Sequence, residues 1–256
     1  MSLPHMEVMS SSFQWAGIAG ACVRGGNGLG RSDRSSGDCI LLNFKKKFFG
    51  ISDSSDRDPF ASRQCLTLLD SALALPVFLT PSQRQNSDLL NRVTRAVTAR
   101  TEAVLRQMKG QGPCTLTGIQ LLEGVGGTLA VLMHTGDSVL YEYDPATGEI
   151  ALRTENNFWM VGKTVRCYQI SLLELKPGAV VLMATDGVSP LHGASTSLVK
   201  DRYRDILHRH GVEDIPEKIL AREVTETGMA DDAAVIAVVP HRLAASNRKI
   251  LLVQKN

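Results

Sequence analysis

The sequence predicts one α+β domain built on mainly antiparallel sheet, and three observations lead there. Short apolar runs rich in Val, Leu and Ile recur through the second half of the chain, separated by tight turn signals such as Asp144 to Gly148 and Pro177-Gly178. Short connections of that kind join antiparallel strands, because parallel strands need long crossovers. Elsewhere apolar residues recur at spacings of three and four, the mark of amphipathic helices that need a sheet face to cover.

Taken in order, residues 20–37 are rich in Gly, Ser, Arg and Asp without apolar period and read as a loop. Cys39 to Phe44 and Phe48 to Ile51 read as a hairpin turning over Lys45-Lys46-Lys47, a solvated basic turn. Asp58-Pro59 offers a capping carboxylate and a first-turn proline, so a helix follows through Leu66, Leu69 and Leu73. A longer helix is predicted from Gln83 to Met108, with Leu89, Leu90, Val93, Val97, Val104, Leu105 and Met108 on one face and Gly110 at its end. Strands are then expected over Cys114 to Leu122, Thr128 to His134, Val139 to Tyr143, Ile150 to Arg153, Cys167 to Leu175, Ala179 to Thr185 and Ala233 to Val239. Helices are expected over Ser197 to His210 and Pro216 to Thr225. The predicted domain covers residues 10–240. Residues 1–9 and 241–256 are terminal extensions, the latter an edge strand or a free end.

Composition narrows the function classes. With 28 Lys and Arg against 26 Asp and Glu, the net charge of +2 favours neither a nucleic-acid partner nor a membrane surface. The five cysteines are scattered without a CxxC pair, so neither a zinc site nor a disulfide framework is indicated, and a cytoplasmic, reducing location is expected. Residues 1–9 lack the basic start and apolar core of a signal peptide, and no apolar run approaches the ~20 residues that span a bilayer.

The aspartates carry the chemistry. Asp53 follows Phe48-Phe49-Gly50-Ile51-Ser52, Asp137 comes just past the apolar run Leu129 to Met133, and Asp186-Gly187 follows Val180 to Met183. Asp231-Asp232 precede Ala233 to Val239, and Asp38 precedes Cys39 to Leu42. Singly, each is most simply a turn residue. Together they mark five apolar strands whose ends would share a rim, where crowded carboxylates resist ionisation unless a hard oxygen-loving cation such as Mg²⁺ or Mn²⁺ joins them. His134 is expected to be a packed or hydrogen-bonded core residue, His208 and His210 exposed, and Trp159 a lid on the core.

In this order the motifs resemble the metal-dependent protein phosphatases of the protein phosphatase 2C (PPM) type, bacterial members included. The likeness rests on Phe48 to Asp53, on Gly136-Asp137-Ser138, on Val181-Leu182-Met183-Ala184-Thr185-Asp186-Gly187 and on Asp231-Asp232-Ala233-Ala234-Val235, from about Asp38 to Val239. It implies a central sandwich of two antiparallel β-sheets flanked by α-helices, with a two-metal centre at one end. By the resemblance, Asp53 bridges both ions with the carbonyl of Ser54 as a further ligand, and Asp186 and Asp231 hold one ion. Asp38 acts through bound water, Asp137 contributes to a third, weaker site, and Asp232 ranks below Asp231. The implied activity is hydrolysis of phosphoserine and phosphothreonine on proteins by metal-activated water, with Mn²⁺ or Mg²⁺ as cofactor and a phosphorylated protein as partner.

Three departures matter, the slightest being Val139 after Gly136-Asp137-Ser138 where the family commonly has Arg, a matter of packing. The Gly-His-Gly that follows the bridging aspartate in eukaryotic members is Ser54-Ser55-Asp56 here. The phosphate-binding arginine expected five positions before Asp38 is Asp33, which makes Arg34 the candidate, with Arg31 and Arg57 as rivals. They leave two alternatives open: a weak or inactive signalling module of the same fold, and a metal-dependent hydrolase of small phosphate esters.

Overall fold

The computed structural model describes residues 6–9, 12–23, 36–55, 59–124, 127–188, 196–228 and 231–253. The strands are β1 (Met6–Met9), β2 (Ser12–Trp15), β3 (Ile18–Val23), β4 (Cys39–Asn43), β5 (Phe48–Ser52), β6 (Phe78–Leu79), β7 (Leu116–Gly124), β8 (Thr128–Thr135), β9 (Val139–Asp144), β10 (Glu149–Leu152), β11 (Gln169–Leu175), β12 (Val180–Ala184), β13 (Ala233–Val238) and β14 (Lys249–Val253). The helices are α1 (Pro59–Ala72), α2 (Pro81–Arg84), α3 (Ser87–Met108), α4 (Thr196–Arg209) and α5 (Ile215–Thr227).

The strands form two sheets, one ordered β1-β14-β4-β5-β7-β8-β11 and the other β10-β9-β12-β13-β3-β2. Pairing is antiparallel except for β1 with β14 and the two-residue β6 with β7. The α+β sandwich flanked by helices is therefore the architecture observed.

Alternation along the strands builds the layers. Ile40, Leu42, Phe49, Ile51, Ile119 and Leu132 of the first sheet meet Leu140, Val181, Met183, Ile236 and Val238 of the second in one core. The opposite faces are apolar too. Leu41, Phe48, Leu116 and Met133 lie under Leu66 and Leu69 of α1 and Val104 and Leu105 of α3. Tyr141, Leu182, Val235 and Ala237 lie under Tyr203 and Ile206 of α4 and Ile219 and Leu220 of α5. Strands covered on both faces read as continuous apolar runs, because neither face meets water. Truncating any of these central leucines to alanine is expected to cost about 2–5 kcal/mol.

Several expectations need correction. Residues 20–23, read as loop, are the end of β3 and pair with β13. Gly20 misleads there, since a side chain at that position would press on Leu252 and Ile40 across the sandwich at 3.1–3.5 Å. The predicted helix from Gln83 is broken at Gln85-Asn86, where extended Asn86 accepts the Leu89 N–H at 3.0 Å and caps α3. The segment beyond His241 is neither edge nor free: β14 lies between β4 and β1, with Ile250, Leu251 and Leu252 buried. The first sheet thus runs past residues 10–240 on both sides. The lysine turn is only partly solvated, because Lys46 Nζ donates to the carbonyl of Asp70. The Asp58 cap lies outside the described residues.

Candidate metal centre

Register brings the strand ends together. Cys39 pairs with Ser52, Ile51 with Thr117 and Leu116 with Thr135, so Asp38, Asp53, Thr115 and Gly136-Asp137 fall at one end of the first sheet. In the second sheet Ala184 pairs with both Val139 and Val235, which sets Thr185-Asp186 beside Ser138 and the approach to β13.

Hydrogen bonds join the two sheets at this end. Thr185 Oγ1 donates to Asp38 Oδ2 at 2.6 Å and accepts the Ala234 N–H at 2.8 Å. Gly37 N–H donates to Asp232 Oδ2 at 2.8 Å, and Asp232 N–H to Asp231 Oδ1 at 2.9 Å. Within the first sheet Asp53 N–H donates to Thr115 Oγ1 at 3.0 Å, Thr115 N–H returns to the Asp53 carbonyl at 2.7 Å, and Thr115 Oγ1 also meets Ser138 Oγ at 2.9 Å. Two glycines make the packing possible. A Cβ on Gly187 would lie 1.8 Å from the Asp232 carbonyl oxygen, and one on Gly136, at φ +107°, would lie 2.8 Å from Thr115.

The electrostatics follow from this crowding. The Asp53 carboxyl is pushed up to about 7, by burial first and by the Asp186, Asp231 and Asp137 carboxylates as well, against a hydrogen bond with Asp38 that works the other way. Asp38 is fully buried, and its carboxyl is raised by burial and by Asp53, against a lowering hydrogen bond from Thr185. Asp38 Oδ1 receives no hydrogen bond. Crowded carboxyl groups, one with a buried oxygen that no donor reaches, are relieved by a proton or by a cation among them.

No family model matches the chain, and no curated protein matches it. Solved structures do. The PPM Ser-Thr phosphatase MsPP from Mycobacterium smegmatis, in complex with cacodylate, is 18% identical, with 90% of this chain and 99% of that one covered at a TM-score of 0.56. The catalytic domain of the serine/threonine phosphatase PstP in complex with two manganese ions is 19% identical, with 86% and 96% covered at 0.57. The S. agalactiae serine/threonine phosphatase is 16% identical, with 88% and 99% covered at 0.64.

The chain has the fold of the PPM-type phosphatases.

On that fold the predicted residues stand as follows. Asp53, Asp186 and Asp137 are half-buried, Asp231 is exposed, and Asp232 is buried with its carboxylate engaged by Gly37. Ser54 is buried, its N–H donating to the Gly37 carbonyl at 3.3 Å, and it bridges to Cys114. Arg34, with Arg31, Arg57, Asp33 and Asp56, lies outside the described residues. Among the described residues no group of three or more His, Cys, Asp or Glu side chains is placed to hold a metal ion. The donor set is nevertheless suited to Mg²⁺ or Mn²⁺: all oxygen, and Mg²⁺ in particular keeps most of its waters and needs only one or two direct carboxylates. Thr185 is the residue that sequence reasoning passed over; its place inside the Thr-Asp-Gly motif was the available signal.

His134 is a buried, hydrogen-bonded core residue. It meets Thr117 Oγ1 at 2.8 Å, the Glu155 carbonyl at 3.0 Å and Asn157 at 3.2 Å, and burial lowers its pKa to about 4. His208 and His210 are exposed. Trp159 is not a lid: it is 44% exposed, because its backbone is held at a loop crest rather than over the core.

Proposed function

We propose that this chain is a metal-dependent phosphatase that hydrolyses phosphoserine and phosphothreonine on proteins with Mn²⁺ or Mg²⁺. The observation that carries the reading is the convergence at one end of the sandwich of Asp38, fully buried with Oδ1 short of a donor, and half-buried Asp53, with Asp137, Asp186 and Asp231 on the neighbouring strand ends. The PPM fold supports it, as does the manganese-bound PstP domain.

In this reading Asp53 and the Ser54 carbonyl, with Asp186 and Asp231, hold two ions, and Asp137 serves a third. Bound there, the ions would lower the pKa of bound water and offset charge on the phosphoryl oxygens. The chain's own residues supply the rest. Thr185 and Thr115 fix Asp38 and the Asp53 backbone, so the carboxylates meet the ions without reorganising. Asp38, oriented through Oδ2, accepts a proton from water at the site. Arg34 is put forward to clamp the phosphate. All five cysteines are free thiols, in keeping with a cytoplasmic location, and no described helix is long and apolar enough to cross a membrane.

The test is hydrolysis of p-nitrophenyl phosphate and of a phosphothreonine peptide by the folded protein in Mn²⁺, with and without chelator. Turnover of both that the chelator abolishes is expected. Absence of metal-dependent turnover overturns the proposal, and turnover of small esters alone removes its protein substrate.

A further inference from the structure

The loop between β10 and β11 presents apolar rings to solvent at the rim of the carboxylate cluster. Phe158 is 97% exposed, Trp159 44% and Tyr168 40%, and the Trp159 and Tyr168 rings meet edge to face at 5.6 Å. Isolated exposed aromatics are ordinary on a protein surface. What distinguishes these is how firmly the backbone beneath them is held, and to what.

On one side Asn157 locks the loop onto the turn that carries Asp137. Its N–H donates to the Gly136 carbonyl at 3.0 Å, and its Oδ1 accepts from Gly136 N–H at 2.9 Å and Trp159 N–H at 3.1 Å. Its Nδ2 reaches the Glu155 carbonyl at 2.9 Å and His134 at 3.2 Å. Thr135 Oγ1, one residue before that turn, donates to the Trp159 carbonyl at 3.1 Å. On the other side Val161 exchanges both backbone hydrogen bonds with Cys114 at 2.9 and 3.2 Å, and Cys114 bridges Ser54. The crest from Phe158 to Met160 is therefore strung between the Asp137 turn and the Ser54 segment. Rings held on fixed backbone lose little freedom when a ligand covers them, the condition under which apolar contact becomes affinity.

We propose that Phe158 and Trp159 form a clamp for an apolar side chain flanking the phosphorylated residue of the substrate, so that the enzyme selects phosphopeptides with a large hydrophobic neighbour. This rests on the phosphatase reading above and adds sequence preference to it. The occupant is peptide because the loop is hydrogen-bonded to Thr135 and Gly136, next to Asp137, which puts the rings within reach of residues that flank a phosphorylated side chain held at that end of the sandwich.

The experiment compares two phosphothreonine peptides, identical except that the residues flanking phosphothreonine are leucine in one and serine in the other. Wild-type enzyme in Mn²⁺ is expected to favour the leucine peptide through KM, by roughly fivefold to tenfold, the scale of a truncated aromatic anchor. Phe158→Ala combined with Trp159→Ala is expected to erase the preference while p-nitrophenyl phosphate turnover stays within about twofold, that ester being too small to span from phosphate to clamp. No preference in the wild type, a preference that survives in the variant, or an equal loss on p-nitrophenyl phosphate each overturns the clamp. If the wild type hydrolyses none of the three, the phosphatase reading falls separately, and Trp159 fluorescence in a Trp15→Phe background then decides. Tighter binding of the leucine peptide supports the clamp, and equal affinity for both peptides overturns it.

Discussion

Asp53 and Asp144 stand at opposite ends of the same sandwich, each at the end of an apolar strand, and their chemistry is opposite. Asp144 is satisfied by its own turn: Oδ1 accepts the Ala146 N–H at 2.9 Å and Oδ2 the Thr147 hydroxyl at 3.0 Å, with Lys176 Nζ at 3.4 Å. Those partners, Ala146 first, hold its carboxyl below the usual range. Asp53 is raised to about 7 by burial and by carboxylates from three distant parts of the chain. A strand-end aspartate can thus be a local cap or one member of an assembled site. Local sequence does not separate the two; the long-range register does.

The largest expected effect breaks the pair apart directly. Asp53→Asn is expected to lower Mn²⁺-dependent turnover by roughly 10³-fold, the scale for losing one preorganised electrostatic contact, with an unchanged circular dichroism spectrum. Asp144→Asn is expected to stay within about twofold of wild type in the same assay, because it stands at the opposite end of the sandwich from the candidate site. Similar losses in both variants would erase the distinction.

Next in size is a pH effect beside the Asp137 turn. His134 has its pKa lowered to about 4 from 6.5 in the folded state, so between those values the unfolded chain binds the proton first. The stability it contributes is complete above about 6.5 and is lost as pH falls towards 4, by roughly 3 kcal/mol in all. Urea unfolding of wild type and His134→Asn across that window should differ by this slope. Parallel curves would contradict the assignment.

Thr185→Val tests whether the assembled end depends on its link between sheets. It strips Asp38 Oδ2 and the Ala234 N–H of their shared partner, and a loss of about 1–3 kcal/mol in unfolding free energy is expected, with Thr185→Ser restoring most of it.

The smallest effect has the opposite sign. In metal-free protein near pH 8, Asp53→Asn relieves carboxylate repulsion and should raise Tm by about 2–4 °C, the shift that ~1 kcal/mol produces in a chain of this size. Asp144→Asn should lower it. Differential scanning calorimetry in chelator distinguishes the two.

How far the sequence could be read follows the same division. Strands buried on both faces, such as Val180 to Ala184 and Ala233 to Val238, announce themselves because burial demands unbroken apolar residues. The helices over Ser87–Met108 and Ile215–Thr227 were legible from their period. β3 was not, since close packing against Leu252 and Ile40 selects Gly20 and hides the apolar pattern. β14 was not, because its pairing with β4 joins residues about 200 apart in the chain, a separation that no local signal encodes. At the site the aspartates were legible as a set. The bonds made by the Thr115 and Thr185 hydroxyls were not, because a threonine beside a strand end looks the same whether it packs or binds, even inside a motif.

Thr185 has one further implication. A hydroxyl owns a single hydrogen, and this one is committed to Asp38 Oδ2, while the lone pair it offers is taken by Ala234. The wire therefore has a polarity, from backbone amide through hydroxyl to carboxylate, and it reserves Oδ2 as an acceptor. Oδ1, by contrast, is the oxygen that no donor reaches. A single threonine thus makes the two oxygens of one buried carboxylate unequal.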